Sequence, residues 1–161
     1  MRRPTTPWGR GPTSRRRRPP SGKALALRSV PGLAALPAAE RGELGELFDE
    51  VRVAAGTVLA REGRAATELV LILDGRATAT GSSAPERTVG AGQFVGELEL
   101  VGQADHAATV TAETPMHLLV AGPATVRTVL EQPAVLRHIV TALGERLRAA
   151  GPTATVPEPA A

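Results

Sequence analysis

Residues 94–112, FVGELELVGQADHAATVTA, hold the side chains of this sequence best placed to do chemistry together. Phe94 closes a short strand. Gly96, Glu97, Leu98 and Glu99 open a one-turn apolar helix that continues through Leu100 and Val101. A polar turn then leads to His106, Ala107 and Ala108, at the head of an Ala-Ala-Thr-Val strand. Free N–H groups and the positive end of the helix dipole suit such a start to an anion. Gly96 would allow close approach to the backbone, or serve only the turn. Glu97 is a carboxylate that can accept from a ligand or simply cap the short helix. Neutral His106 offers at most one donor, or is a solvated loop residue.

Other chemistries lack their residues. The chain has no cysteine, which removes disulfides, thiolate metal sites and thiol nucleophiles. The only histidines are His106, His117 and His138; the first two fall on different strands and the third on a C-terminal helix, so no metal site is expected. Neither a Gly-x-Ser-x-Gly elbow nor a Walker loop is present. The sequence is read as a non-enzyme.

The elements that must hold this stretch follow from the pattern of the chain. Its 161 residues, 42% hydrophobic, suit one domain with extensions. Aromatics are 2%, so the core is built from Leu, Val, Ala and Ile. Arginine is used almost to the exclusion of lysine, with abundant Ala, Gly and Pro, as in a GC-rich bacterial genome. The net charge of +3 conceals an asymmetry. Residues 1–23 carry seven Arg and Lys23 with no acid, a charge of +8; the remainder sets eleven Arg against sixteen acids, a charge of −5. Residues 1–32 are therefore read as a basic unstructured tail, 33–150 as the folded domain, and the Pro/Ala-rich 151–161 as a second unstructured tail. Arg15–Arg18 could form an anion-binding arm or a solvated run. No apolar run reaches the ~20 residues of a membrane span, and Arg28 and Pro31 interrupt the one stretch resembling a signal peptide. A cytoplasmic location is expected.

Residues 33–48 show a helical stripe of Leu44, Leu47 and Phe48. From Val51 the period changes to two. Short strands follow, around a turn at Ala55-Gly56, over 68–75 with an Asp74-Gly75 hairpin signal, and over 76–80, 87–92, 107–113 and 115–121. This spacing argues for an all-β sandwich or roll. Helical period returns over 123–131 and 133–149, the latter with Val135, Leu136, Ile139, Val140, Leu143 and Leu147 as a broad apolar stripe.

The run from Phe94 to Ala112 resembles the phosphate-binding cassette of cyclic nucleotide-binding domains, found in the Crp/Fnr regulators and in the regulatory subunit of protein kinase A. Gly56, Glu62-Gly63 and Ile72–Gly75 recur in the family's order, and the resemblance covers roughly residues 33–149. It implies a mainly β fold: a double-stranded β-helix, or jelly-roll-like β-roll, with an N-terminal helix and C-terminal helices. It also implies that Gly96, Glu97, Leu98, Glu99, His106, Ala107 and Ala108 bind a ligand. Glu97 would accept from a ribose 2′-hydroxyl, and backbone groups after Leu98 and around Ala107 would clamp a cyclic phosphate. The family's phosphate-binding arginine falls on His106, and its alanine after Gly-Glu-Leu on Glu99. Arg61, Arg64 and Arg87 are spare cations that could compensate. The C-terminal helix carries no aromatic residue to stack on a base.

The expected function is that of a small sensor or regulatory module. It binds a cyclic nucleotide, cAMP favoured because Ala107 brings no hydroxyl to a guanine, and relays this through helix 133–149. The alternative is a structural protein–protein interaction domain with a vestigial pocket. A homodimer or a partner protein on helix 133–149 is expected, with no cofactor, no metal and no membrane contact. The eleven residues after Ala150 are too few for the helix-turn-helix domain of the Crp/Fnr regulators, so sequence-specific DNA binding is not expected.

Overall fold

The computed structural model describes residues 20–149 and Gly151. Trp8, the Arg15–Arg18 run and the C-terminal stretch 152–161 lie outside the described residues. Two helices come first, α1 (Pro20–Leu27) and α2 (Ala38–Glu46), followed by β1 (Asp49–Val53), β2 (Val58–Ala60), β3 (Leu69–Asp74), β4 (Arg76–Thr80), β5 (Arg87–Gly90) and β6 (Phe94–Val95). The chain continues through α3 (Glu97–Gly102), β7 (Thr109–Ala112), β8 (Met116–Ala121), α4 (Val126–Leu130) and α5 (Pro133–Ala149). The domain starts earlier than the expected residue 33. Leu27 and Val30 are fully buried beside Leu33, Leu44 and Phe48, because α1 packs on α2 and supplies apolar side chains to the same core.

Two four-stranded antiparallel sheets face each other, in the orders β1-β8-β3-β6 and β2-β7-β4-β5. Most consecutive strands change sheet, so the chain winds as the expected mainly β roll with helices at both ends. One expected local pairing is overturned by this winding. Asp74-Gly75 does not close a hairpin: β3 pairs with β6 and β8, while β4 pairs with β5 and β7. Gly75 instead turns the corner between sheets, with φ of 97° and no room for a side chain. The same holds at Ala55-Gly56, where β1 joins the first sheet and β2 the second.

Burial follows from this layering. The first sheet is covered on both faces, so β3 and β8 read as continuous apolar runs. Leu69 and Leu71 pack toward the helices, Val70 and Ile72 toward the second sheet. The second sheet has one covered face, and β4 alternates accordingly, with Ala77 and Ala79 inside. On the helical side Val135 and Ile139 of α5 are buried, and His138 anchors the helix. Its ring meets Phe94 edge-on at 5.5 Å and its Nε2 lies 2.8 Å from the Gly92 carbonyl. The broad stripe of α5 is split: Leu136, Val140 and Leu147 remain 41–67% exposed.

The Gly75 corner yields a stability prediction. An added Cβ would sit 2.7 Å from the Pro115 carbonyl, at a φ that side chains rarely adopt. Gly75→Ala should destabilise the fold by about 1–3 kcal/mol, read as a lower urea midpoint with unchanged slope.

Candidate functional site

The cassette lies where β6 leaves the first sheet. Gly96 caps α3 with φ of 92°, and a Cβ there would stand 2.9 Å from the Glu68 carbonyl and 3.5 Å from His106 Cε1. Glycine is thus required by both conformation and space. The α3 turn is closed by Leu100 N–H to Gly96 O at 3.0 Å and by Ala104 N–H to Glu99 O at 2.8 Å.

The far side is tied to the loop after β2. His106 N–H donates to Arg64 O at 2.8 Å, and Gly63 N–H donates to His106 O at 2.9 Å. Glu62 N–H donates to Thr109 Oγ1 at 3.1 Å, while the Glu62 carboxylate accepts the Ser82 N–H and hydroxyl. Those Ser82 bonds hold Glu62 below the usual carboxylate range. Glu62-Gly63 therefore laces three loops together and fixes the backbone that carries His106.

Six of the seven expected residues, Gly96, Glu97, Leu98, Glu99, His106 and Ala108, line one small cavity of about 40 Å³. The seventh, Ala107, is exposed, but its N–H donates to Glu99 Oε1 at 3.4 Å. Leu98 is 40% exposed and offers mostly its backbone. Glu97 is the sole buried charged residue among those described, at 5% exposure. Its Oε1 lies 2.9 Å from Arg146 Nη1, at the far end of α5. Burial drives the Glu97 carboxyl above its ordinary range, and Arg146 and its own backbone N–H only partly offset this, while Glu99 adds to it.

Arg146 continues the buried face of α5. It stands seven residues beyond Ile139 and eleven beyond Val135, on the same helical face. A charged residue continuing a buried stripe requires a buried partner. That was the available signal, but only the fold names Glu97 as the partner. Arg87, from edge strand β5, lines the same cavity. Burial and the neighbouring Arg146 hold its guanidinium below the ordinary range, and Glu97 and Glu99 act the other way. Arg61 and Arg64 face a different cavity of about 440 Å³, which also touches Thr67, Glu68, Val70, Val95 and His106. His106 and Val95 line both spaces.

The other histidines are elsewhere. His117 Nε2 lies 2.6 Å from Glu50 Oε1 between β8 and β1, and His138 docks α5. Among the described residues no group of three His, Asp or Glu is placed to hold a metal ion.

The family model of the cyclic nucleotide-binding domain matches residues 50–133, more than half of the chain. The chain belongs to this family. The regulatory subunit of cAMP-dependent protein kinase from Pyricularia oryzae is 32% identical over 98 residues, covering 60% of this chain and 25% of that protein. The regulatory domain of Toxoplasma gondii PKA, crystallised with cAMP, superposes with a TM-score of 0.67 at 23% identity, covering 78% of this chain and 50% of that one. The regulatory subunit of a cAMP-independent protein kinase A from Trypanosoma cruzi, bound to guanosine, gives 0.66 at 19% identity, covering 82% and 51%. The chain thus spans a quarter of that curated relative and about half of each of those two structures. The structural likenesses establish the β-roll fold. Among the described residues no helix is long and apolar enough to cross a membrane.

Glu68, beside this site, supplies a pH prediction. Its Oε2 is buried without a hydrogen-bond partner, and burial, reinforced by Asp49, raises its pKa above 4.5. A raised carboxyl pKa favours the folded state at low pH and opposes it as pH rises through the folded pKa. Glu68→Gln should therefore raise Tm at pH 7 and leave it nearly unchanged at pH 4.

Proposed function

We propose that this cyclic nucleotide-binding domain is a regulatory module without catalysis of its own. A nucleotide-type ligand enters the cassette pocket, and α5 reports its presence. The observation that carries this reading is the Arg146–Glu97 contact at 2.9 Å. The carboxylate that the family resemblance assigns to a ribose hydroxyl is held by the helix expected to relay the signal. A cavity of about 40 Å³ has room for little more than one water, against roughly 300–1,000 Å³ for small-molecule sites. A ligand reaching Glu97 must displace Arg146, which loosens the last turns of α5. Binding and helix release are then one equilibrium. The fold accommodates more than one ligand type, since the Toxoplasma neighbour holds cAMP and the trypanosome neighbour holds guanosine. Among cyclic nucleotides, cAMP is preferred over cGMP on the evidence of Ala107.

The output surface is the exposed half of α5. Leu136, Val140, Leu143 and Leu147 repeat at four, three and four residues, the spacing of a helix–helix seam. Three of them stand well exposed. This observation also favours a second reading, a protein–protein interaction domain whose pocket no longer functions. Both readings place a second copy or a partner protein on this face, and ligand titration separates them. Sedimentation should show a homodimer at micromolar concentration, and Val140→Asp should shift it to monomer. A native monomer with or without nucleotide would remove the seam.

The relay has its own test. Arg146→Ala leaves the Glu97 carboxylate buried without its cation and should cost about 1–3 kcal/mol at pH 7–8. The loss should shrink as pH falls and Glu97 becomes protonated, because only the ionised form needs Arg146. Amide exchange over the last two turns of α5 should rise in Arg146→Ala, and should rise likewise in the native chain when ligand is added. Unchanged α5 exchange on saturation with a bound ligand would defeat the relay.

A further inference from the structure

The cassette pocket is already charge-balanced by its own side chains. Glu97 and Glu99 line the cavity with Arg87 and Arg146, and His106 stands beside them. Two carboxylates meet two guanidiniums before any ligand arrives. Glu97 is matched directly by Arg146 at 2.9 Å. The Glu99 carboxylate lies in the mouth of the clamp, where its Oε1 accepts the Ala107 N–H at 3.4 Å. That N–H belongs to the backbone to which the family resemblance assigns the cyclic phosphate. A carboxylate and a phosphate are both anionic acceptors, and one N–H cannot serve both without pressing like charges together. Position 106 supplies no permanently charged planar fork to offset the repulsion. A hydroxyl behaves differently: it donates to a carboxylate and brings no charge.

We infer that the preferred ligand of this pocket is an uncharged ribonucleoside, whose sugar hydroxyls donate to Glu97 and Glu99, and not a nucleotide whose phosphate would be a third, unmatched anion. The inference rests on the proposal that the cassette is a ligand pocket. It differs from that proposal in assigning Glu99 the place of the phosphate. Glu97 takes the 2′-hydroxyl and Glu99 the hydroxyl at the position where a nucleotide would carry phosphate. Hydroxyl donation to an ionised carboxylate is the stronger kind of hydrogen bond.

Calorimetry on the full chain tests this with adenosine, guanosine, inosine and uridine, each beside its 2′-deoxy form, its 5′-monophosphate and its 3′,5′-cyclic monophosphate. At least one ribonucleoside should bind about tenfold or more tightly than both of its phosphorylated forms, and more tightly than its deoxy form. Glu99→Gln should narrow that gap. The double variant Glu99→Ala with His106→Arg should reverse it in favour of the cyclic monophosphate, with Tm and circular dichroism checking that the variants fold. A native chain that binds any cyclic monophosphate as tightly as its nucleoside overturns the inference and leaves the pocket as a ligand site. A native chain that binds no nucleoside at millimolar concentration also overturns it. The double variant then separates the two failures. If it gains cyclic nucleotide binding, the pocket reading stands; if it gains none, that reading falls as well.

Discussion

One ion pair ties the start of α3 to the end of α5. Arg146 reaches from the end of α5 to Glu97 at the start of α3, forty-nine residues earlier. Neither group could stand where it does alone. Glu97 is buried enough for its carboxyl to resist ionisation, and a guanidinium on an apolar helical face needs an acceptor. Pairing joins the end of α5 to the cassette. Such a pair contributes modestly to net stability, because desolvation offsets much of its attraction. Its larger consequence in the proposed reading is coupling, since a ligand group at Glu97 would compete with Arg146.

The rest of the fold brings these two ends together. The first sheet is covered on both faces, by the second sheet and by the helices, so β3 and β8 form a rigid apolar wall. Phe94 and His138 dock the middle of α5 on that wall next to the cassette. Beyond Ile139 α5 has no further buried residue among those described, and Val140 and Leu147 stand exposed. The helix is thus held firmly at one end and by a single polar contact at the other.

The substitutions in the cassette act together. Exchange of the family's arginine for His106 removes a cation, and exchange of its alanine for Glu99 adds an anion. Arg87 and Arg146 restore the balance from β5 and α5. The loop scaffold around the cassette is complete: Glu62 and Gly63 still fasten the segment carrying His106, and Gly96 still occupies the one place where a side chain could not fit.

Local pattern determined much of this protein from the sequence alone. Alternation and turn residues located the strands, α5 was legible over its full length from its apolar period, and the Gly-Glu-Leu turn and its downstream strand identified the family. These features depend on neighbours along the chain. Long-range pairing was not legible. Asp74-Gly75 looks like a hairpin, yet it turns a corner between sheets, because strand partners are chosen by the winding of the roll and not by the turn between them. Leu27 and Val30 looked like part of a basic tail, since nothing nearby shows that α2 offers them a core. The partner of Arg146 is named only once α5 is laid on the first sheet. Glu97 and Glu99 could be read as candidate ligand groups, but the burial of Glu97, the repulsion between the two and the arginines beside them arise only when β5, β6, α3 and α5 converge. Electrostatics of this kind depends on distances in space, and a sequence specifies those only through the fold it adopts.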